Sequence, residues 1–375
     1  MKVRLGDVAT YINGYAFKPS DWSTVGTPII RIQDLTGNSY KQNRYNGDYE
    51  KRYEISSGDI LISWSASLGV YIWAGEKAVL NQHIFKVVFD KINVNKNFFI
   101  HQVKSILEKA STSAHGATMK HLTRPTFNSL PFYLPDINTQ NKIAMVLDNL
   151  ESTISNKAKV LSLLDQLVKS RFMEMFGDPW NDSNKYPLER LSNLSEKITD
   201  GVHKKPTYTQ SGRPFLSVVN INKRVVDFSN CKFISNNDFD LIAKSNIANK
   251  GDILYTKVGA TYGIAAHVET DIKFALYVSV CLIKPKHNII NSCFLAHSMN
   301  MPYVKYQADR RVKGIGVPDL HLNQIREFSI IVPPLPLQQQ FAAFVEKVDK
   351  SKLAVKQSLE KLETLKKSLM QQYFG

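Results

Sequence analysis

The run Tyr40-Lys41-Gln42-Asn43-Arg44-Tyr45, continuing through Tyr49 to Lys51-Arg52-Tyr53, interleaves cations, amides and aromatic rings. These side chains can pair with phosphates and read the donor and acceptor edges of bases. An exposed hairpin rich in β-formers is the plain alternative. Three further clusters carry the same chemistry. Gly201-Val202-His203-Lys204-Lys205-Pro206 stands where the first half of the chain has Tyr15-Ala16-Phe17-Lys18-Pro19. It reads either as a DNA-contacting loop or as a solvated one. Asp309-Arg310-Arg311-Val312-Lys313-Gly314 enters a glycine-rich loop and matches the stretch holding His115, Gly116 and Lys120. Its cations suit phosphate contact, with helix C-terminal capping as the alternative. Lys257, just beyond the strand that begins Gly251-Asp252-Ile253-Leu254, is a weaker candidate.

Covalent chemistry finds no such support. The sequence has no GxxxxGK[ST] loop to cradle phosphates, no GxGxxG turn, no HExxH pair and no GxSxG elbow. It also has no Asn-Pro-Pro-aromatic run of the kind that holds a flipped base. Asp271-Ile272-Lys273 is the one Asp/Glu-x-Lys, and a metal nuclease would want a second acidic ligand beside it. Cys231, Cys281 and Cys293 form no CxxC pair, which speaks against zinc and against a disulfide framework. A reducing, cytoplasmic setting is therefore expected. No apolar run reaches membrane-spanning length, and Met1-Lys2-Val3-Arg4 does not open a signal peptide.

The charge balance points the same way as the clusters. Formal net charge over 375 residues is +15, above the roughly 2 to 8 that keeps a small domain soluble. Residues 1–177 carry 21 basic and 15 acidic side chains, and residues 178–375 carry 27 and 18, so both halves are basic. A polyanion is the expected partner, and nucleic acid fits better than a membrane.

The elements that must position these clusters come in duplicate. Arg4-Leu5, Gly26 and Pro28 recur 186 residues later as Arg190-Leu191, Gly212 and Pro214. Gly58-Asp59-Ile60-Leu61 recurs as Gly251-Asp252-Ile253-Leu254, displaced by 193. From Gly116 onward the displacement is a constant 198, pairing Leu134-Pro135 with Val332-Pro333, Gln140 with Gln338 and Phe176-Gly177 with Phe374-Gly375. Each half is thus a divergent part followed by a closely matched tail.

Strands are expected at 28–32, 59–63, 70–73 and 84–89, with counterparts at 215–219, 252–256 and 275–283. Helices are expected at 98–110 and 292–306, each before a last strand at 129–134 or 327–332. The tails read as long helices. Ile143, Leu147, Leu150, Ile154, Leu161, Leu164 and Val168 alternate steps of four and three, with Lys157 in the one missed position. Phe341, Val345, Val348, Val355, Leu359 and Leu362 repeat the seam, interrupted by Lys352. Two matched seams imply antiparallel pairing about a pseudo-two-fold axis near Lys157 and Val355. The expected fold class is α+β: two tandem mixed α/β, mostly β, domains joined by a coiled coil. The boundaries are 1–135, 136–177, 178–333 and 334–375.

Two units that each open with Arg-Leu, pass through Gly-x-Pro-apolar and Gly-Asp-Ile-Leu, and close on a long helix ending Phe-Gly resemble the specificity subunits of type I restriction-modification enzymes. Asp200-Gly201-Val202-His203-Lys204-Lys205-Pro206, followed by Gly212-Arg213-Pro214-Phe215-Leu216, looks like a common second-unit pattern, from which the first unit departs at Asn13-Gly14-Tyr15. The resemblance implies target-recognition domains reading the halves of an asymmetric split site in double-stranded DNA. It implies two methyltransferase subunits using S-adenosylmethionine and two restriction subunits using ATP and Mg2+, with no cofactor on this chain. The candidate DNA contacts are Tyr15, Lys18, Lys41, Arg44, Tyr45, Lys51, Arg52, His115, Lys120, His203, Lys204, Lys205, Lys257, Arg310, Arg311 and Lys313. Lys159, Lys169, Arg171, Lys361 and Lys367, on the helices, are the candidate contacts to the methyltransferases. A related type II specificity subunit, a stand-alone DNA-modifying enzyme and a coiled-coil scaffold are the competing readings.

Overall fold

Gly58 and Gly251 sit at φ +93° and +94°, the left-handed region that costs glycine nothing. Each lets the chain turn sharply into a central strand, Ile60–Ser63 or Ile253–Thr256. The aspartate that follows closes the turn: Asp59 accepts the N–H of Ser56 at 2.9 Å, and Asp252 that of Asn249 at 2.8 Å. Each carboxylate also meets a lysine of the neighbouring strand, Lys86 at 3.0 Å and Lys284 at 2.6 Å. The Gly-Asp-Ile-Leu repeat is therefore a turn with its own ion pair. Alternation along the strand then feeds two cores at once. Ile60 and Ile62 enter one cluster and Leu61 another, as Ile253 and Tyr255 are separated from Leu254.

The computed structural model describes residues 1–39, 41, 43–113, 123–178, 185–221, 224–242, 246–312 and 316–375. The chain forms two compact units, Met1–Lys159 with Lys356–Gly375, and Val160–Val355. In the first, an antiparallel sheet runs in the order Thr10–Asn13, Ile84–Val88, Ile60–Ser63, Gly69–Ile72. A second sheet runs Arg44–Tyr45, Thr27–Ile30, Ala78–Leu80, Glu54–Ile55, with its central pair parallel. Lys2–Arg4 pairs with Pro131–Tyr133.

The second unit repeats this plan. Ser195–Asp200, Val280–Pro285, Ile253–Thr256 and Ala265–His267 form the first sheet. Lys232–Ile234, Arg213–Leu216 and Ala275–Leu276 form the second, again with one parallel pair. Leu188–Arg190 pairs with Ser329–Ile331.

Two expected elements are broken. The strand at 275–283 is two strands in different sheets, because Leu276 pairs with Leu216 while Val280 pairs with Thr256. A turn closed by Val280 N–H on Tyr277 O at 3.0 Å carries the chain between them. The helix at 292–306 is likewise two, Ser292–Met299 and Pro302–Asp309. Pro302 has no N–H to continue the first and its fixed φ suits the start of the second. The strands Thr10–Asn13 and Ser195–Asp200 were not anticipated.

The two tails are helices of 40 residues each, Ile137–Phe176 and Leu335–Phe374, about 60 Å long at ~1.5 Å per residue. Asp136 accepts the N–H of Thr139 at the first start. Gly177, at φ +79°, ends that helix with its N–H on Met173 O at 2.8 Å. Every seam residue named above is buried or half-buried, including Lys157 and Lys352. Within the first unit Lys366 pairs with Glu151 at 2.7 Å, and Leu369, Met370, Tyr373 and Phe374 pack on the core that holds Ile143 and Leu147. Within the second unit Lys352 pairs with Asp165 at 2.7 Å and Phe341 packs on Phe172. In each unit the partner's number falls as the first helix's number rises, so the segments run antiparallel.

Candidate nucleic-acid interface

In the first unit the chain leaves strand Thr10–Asn13 at Gly14, where a Cβ would lie 2.1 Å from the carbonyl oxygen of Leu80. Only glycine allows that approach. Tyr15 then bonds across to the second sheet, its N–H on Leu80 O at 2.7 Å and its carbonyl taking the N–H of Gln82 at 2.9 Å. Its ring begins a tier of edge-packed aromatics. Tyr15 lies 5.6 Å from Tyr53 and 4.9 Å from Phe17, and Phe17 lies 5.1 Å from Tyr45. Tyr15 is 40% exposed, so the tier opens to solvent.

The cations around this tier are not equally free. Lys18, Lys41 and Lys51 are exposed. Arg52 stacks 4.8 Å over Tyr53 and pairs with Glu50 at 2.9 Å. Arg44 is engaged structurally, donating to Gly26 O at 2.8 Å and pairing with Glu76 at 3.1 Å. Sequence reasoning missed Arg31 and Trp22. Arg31 sits 5.5 Å over the Trp22 ring and donates to Lys41 O at 3.2 Å, fixing the backbone of a candidate contact. Tyr40, Gln42, His115 and Lys120 lie outside the described residues.

In the second unit Gly201 repeats the crossing of Gly14, with 2.1 Å between its hypothetical Cβ and Leu276 O. His203, Lys204 and Lys205 beyond it are exposed. Lys205 and Lys232 both approach the ring of Tyr208, at 5.5 and 4.3 Å, and Arg213 lies 5.4 Å from Phe239. Lys232 had no motif to announce it, because pairing of its strand brings it to the Tyr208 ring that Lys205 also approaches. Lys257 is 5% exposed, between Asp200 at 3.5 Å and Asp319 at 3.8 Å. Arg310 is exposed beside the Tyr306 ring, whereas Arg311 is half-buried, bonded to Gln307 O at 3.0 Å. Lys313 lies outside the described residues.

Lys159, Lys169, Lys361 and Lys367 are exposed on the helices. Arg171 is half-buried, paired with Glu174 at 2.9 Å and set 5.8 Å from the Phe344 ring. In the second unit's part of the first helix, Val160, Leu163 and Leu167 are 40 to 50% exposed and, three or four residues apart, share one face.

Among the described residues no group of three or more His, Cys, Asp or Glu could hold a metal ion. Among the described residues, no helix is long and apolar enough to cross a membrane. The three thiols are unpaired, and burial pushes that of Cys293 up to about 12, far from the thiolate form a nucleophile needs. Lys273 of Asp271-Ile272-Lys273 is bonded to Asn249 Oδ1 at 2.9 Å.

Comparison with known proteins agrees with this arrangement. The type I restriction enzyme EcoBI specificity subunit of Escherichia coli is 25% identical over 411 residues, spanning 100% of this chain and 85% of that protein. The MjaVIII specificity subunit of Methanocaldococcus jannaschii is 20% identical over 394 residues, spanning 98% and 90%. Two solved structures share the fold at 16% identity. The type I restriction-modification S subunit from M. genitalium superimposes with a TM-score of 0.59 over 100% of this chain and 96% of that one. A chain from work on complex assembly and conformational transition of the type I R-M system gives 0.60 over 100% and 97%. The family model for the type I restriction modification DNA specificity domain matches twice, at residues 1–166 and 190–365. The chain therefore belongs to the type I restriction modification DNA specificity family and carries two copies of its domain.

Proposed function

We propose that this chain is the DNA-reading subunit of a type I restriction-modification enzyme, in which each unit reads one half of an asymmetric bipartite site. One observation carries the reading: a single fold occurs twice with different side chains at equivalent loops. Where the first unit presents Tyr15 and Lys18, the second presents His203, Lys204 and Lys205. Equal scaffolds with unequal contacts suit two different half-sites. The chain is a recognition subunit and not a catalyst, so methyl transfer and cleavage fall to partners.

The assignments proposed here are residues 1–135 and 178–333 as target-recognition domains, and 136–177 and 334–375 as spacer helices. Tyr15, Lys18, Lys41, Lys51, Arg52, His203, Lys204, Lys205 and Arg310 are the groups offered to DNA. The helix face of Val160, Leu163 and Leu167, together with Lys159, Lys169 and Arg171, suits docking of methyltransferase subunits, with Lys361 and Lys367 on the other helix. Two such subunits, with S-adenosylmethionine, and two restriction subunits, with ATP and Mg2+, would complete the enzyme in the cytoplasm.

Methylome sequencing of cells with and without the gene tests the reading, together with a chimera in which residues 1–135 come from a relative. The expected result is loss of a bipartite adenine-methylation motif without the gene, and a change in one half only in the chimera. Change in both halves, or none, would overturn the assignment of one reader per unit.

A further inference from the structure

Lys257, a weaker candidate DNA contact by sequence, is buried between two carboxylates of the second unit. Its ammonium stands 3.5 Å from Asp200 Oδ2 and 3.8 Å from Asp319 Oδ1, and its side chain is 7% exposed. Its backbone is held at both ends, the N–H on Ser279 O at 3.0 Å and the carbonyl accepting the N–H of Leu320 at 2.9 Å. Three segments converge on this one residue. The first is the end of strand Ser195–Asp200, whose Asp200 turns its other oxygen to His203 Nε2 at 3.5 Å. Immediately beyond, Gly201 and Val202 are locked against Leu276, so the loop bearing His203, Lys204 and Lys205 leaves from a fixed point. The second is the segment from Val317 to Leu320, joined through Gly259 N–H on Pro318 O at 2.9 Å. The third is the 257–263 loop itself, which Tyr262 ties to Asp309 at 2.6 Å, next to Arg310.

A lysine buried between carboxylates is a poor way to gain stability, because desolvation of the charges offsets most of their attraction. It does impose a geometry, since each carboxylate must stay where the ammonium is. The first unit fills the equivalent position without ions. Trp64, whose N–H bonds His83 O at 3.4 Å as that of Lys257 bonds Ser279 O, stacks on Phe85 at 5.7 Å and lies 5.5 Å from the His83 ring. Asn13 replaces Asp200 there. The two units thus support the same loop crossing on different interiors.

We propose that Lys257 is a positioning residue for half-site recognition by the second unit: it reaches no phosphate itself, but through Asp200 and Asp319 it sets the loop that presents His203, Lys204 and Lys205. This rests on reading the chain as a DNA-binding subunit. The test uses the full-length chain and duplexes carrying the motif mapped in cells, either intact or altered in one half, titrated at several salt concentrations.

Lys257→Met should cut discrimination against the duplex altered in the second unit's half-site by about tenfold or more, and leave discrimination at the other half unchanged. The slope of log affinity against log salt should not move, whereas loss of a direct phosphate contact would lower it by about 0.9. Lys257→Arg should restore most of the discrimination. Asp319→Asn, which keeps shape and removes one carboxylate, should lose it in the same direction, and stands in if Lys257→Met does not fold. A reduced salt slope with discrimination intact would make Lys257 a phosphate contact and overturn the proposal, as would unchanged discrimination in Lys257→Met or Asp319→Asn. Absence of discrimination by the unmodified chain would instead overturn the DNA-reading function, and this inference with it.

Discussion

Phe374 packs edge-on against Phe98 inside the first unit, ring centroids 5.5 Å apart and planes at 65°. Phe176 meets Phe294 in the same way inside the second, at 4.9 Å and 74°. Each recognition domain is therefore held by the end of the helix that begins at the other domain. It is also held by the start of its own helix, through Gln140 or Gln338. Lys109 adds to the first grip by donating to Phe374 O at 2.6 Å.

This arrangement predicts local effects from the two terminal phenylalanines. Phe176 is 2% exposed, so Phe176→Ala should cost about 3 to 5 kcal/mol and raise hydrogen exchange in helix Ser292–Met299. Phe374 is half-buried, and Phe374→Ala should cost about 2 kcal/mol and act on helix Lys96–Ser113. Exchange that rises equally in both helices for either variant would show that the grips are not local.

Gln338 is fully buried, accepting the N–H of Asn291 at 2.8 Å and donating to Pro333 O at 2.7 Å. Gln140 makes the equivalent bonds to Asn95 and Pro135 at 2.9 and 2.8 Å. Gln338→Met keeps the volume but leaves these backbone groups unpaired, so a loss of about 2 to 4 kcal/mol is expected in urea unfolding. A loss below about 1 kcal/mol would mean that the groups find other partners.

His297 lies 5.4 Å from the Phe341 ring, and burial above all, with Lys352 nearby, pushes its pKa down to about 4. The unfolded chain takes up a proton near pH 6.5 that the folded unit refuses. Stability from this group is thus complete above about pH 6.5 and falls as pH drops toward 4, by up to about 1.4 kcal/mol per pH unit. Between pH 6.5 and 5 most carboxylates stay ionised, so His297→Gln should flatten the second unit's stability profile there. An equally steep profile in the variant would place the titrating group elsewhere.

A fragment of residues 1–177 lacks residues 356–375, which cover the first unit's core. A second copy's 160–177 segment can take their place, since the tails match. The expected result in sedimentation equilibrium is a weak homodimer, because the seam residue Lys157 of one copy would face Lys157 of the other. Lys157→Val should tighten it by tenfold or more. Equal dimer constants would show a different helix register, and a monomeric Lys157→Val fragment would count against antiparallel association.

The duplicated plan, the two long helices and their seam are all present in local pattern. Heptad spacing and Gly-Asp turns are properties of neighbouring residues, and the constant offsets repeat them in the second half of the chain. The same holds for the missing catalytic motifs and for the +15 charge. What the sequence could not assign is the fate of each cation. Lys41, Lys204 and Lys257 are equivalent in composition, yet strand order leaves the first two in solvent and closes Asp200 and Asp319 around the third. Lys232 reaches the Tyr208 ring only because its strand pairs with Arg213–Leu216 and its neighbour Phe233 bridges Thr209. The break at Tyr277 likewise depends on which strand each side finds as partner. Burial and pairing are set by residues about 20 to 60 positions away, and no local spacing records them. Tertiary structure therefore decided which charges stay in solvent and which are closed into ion pairs.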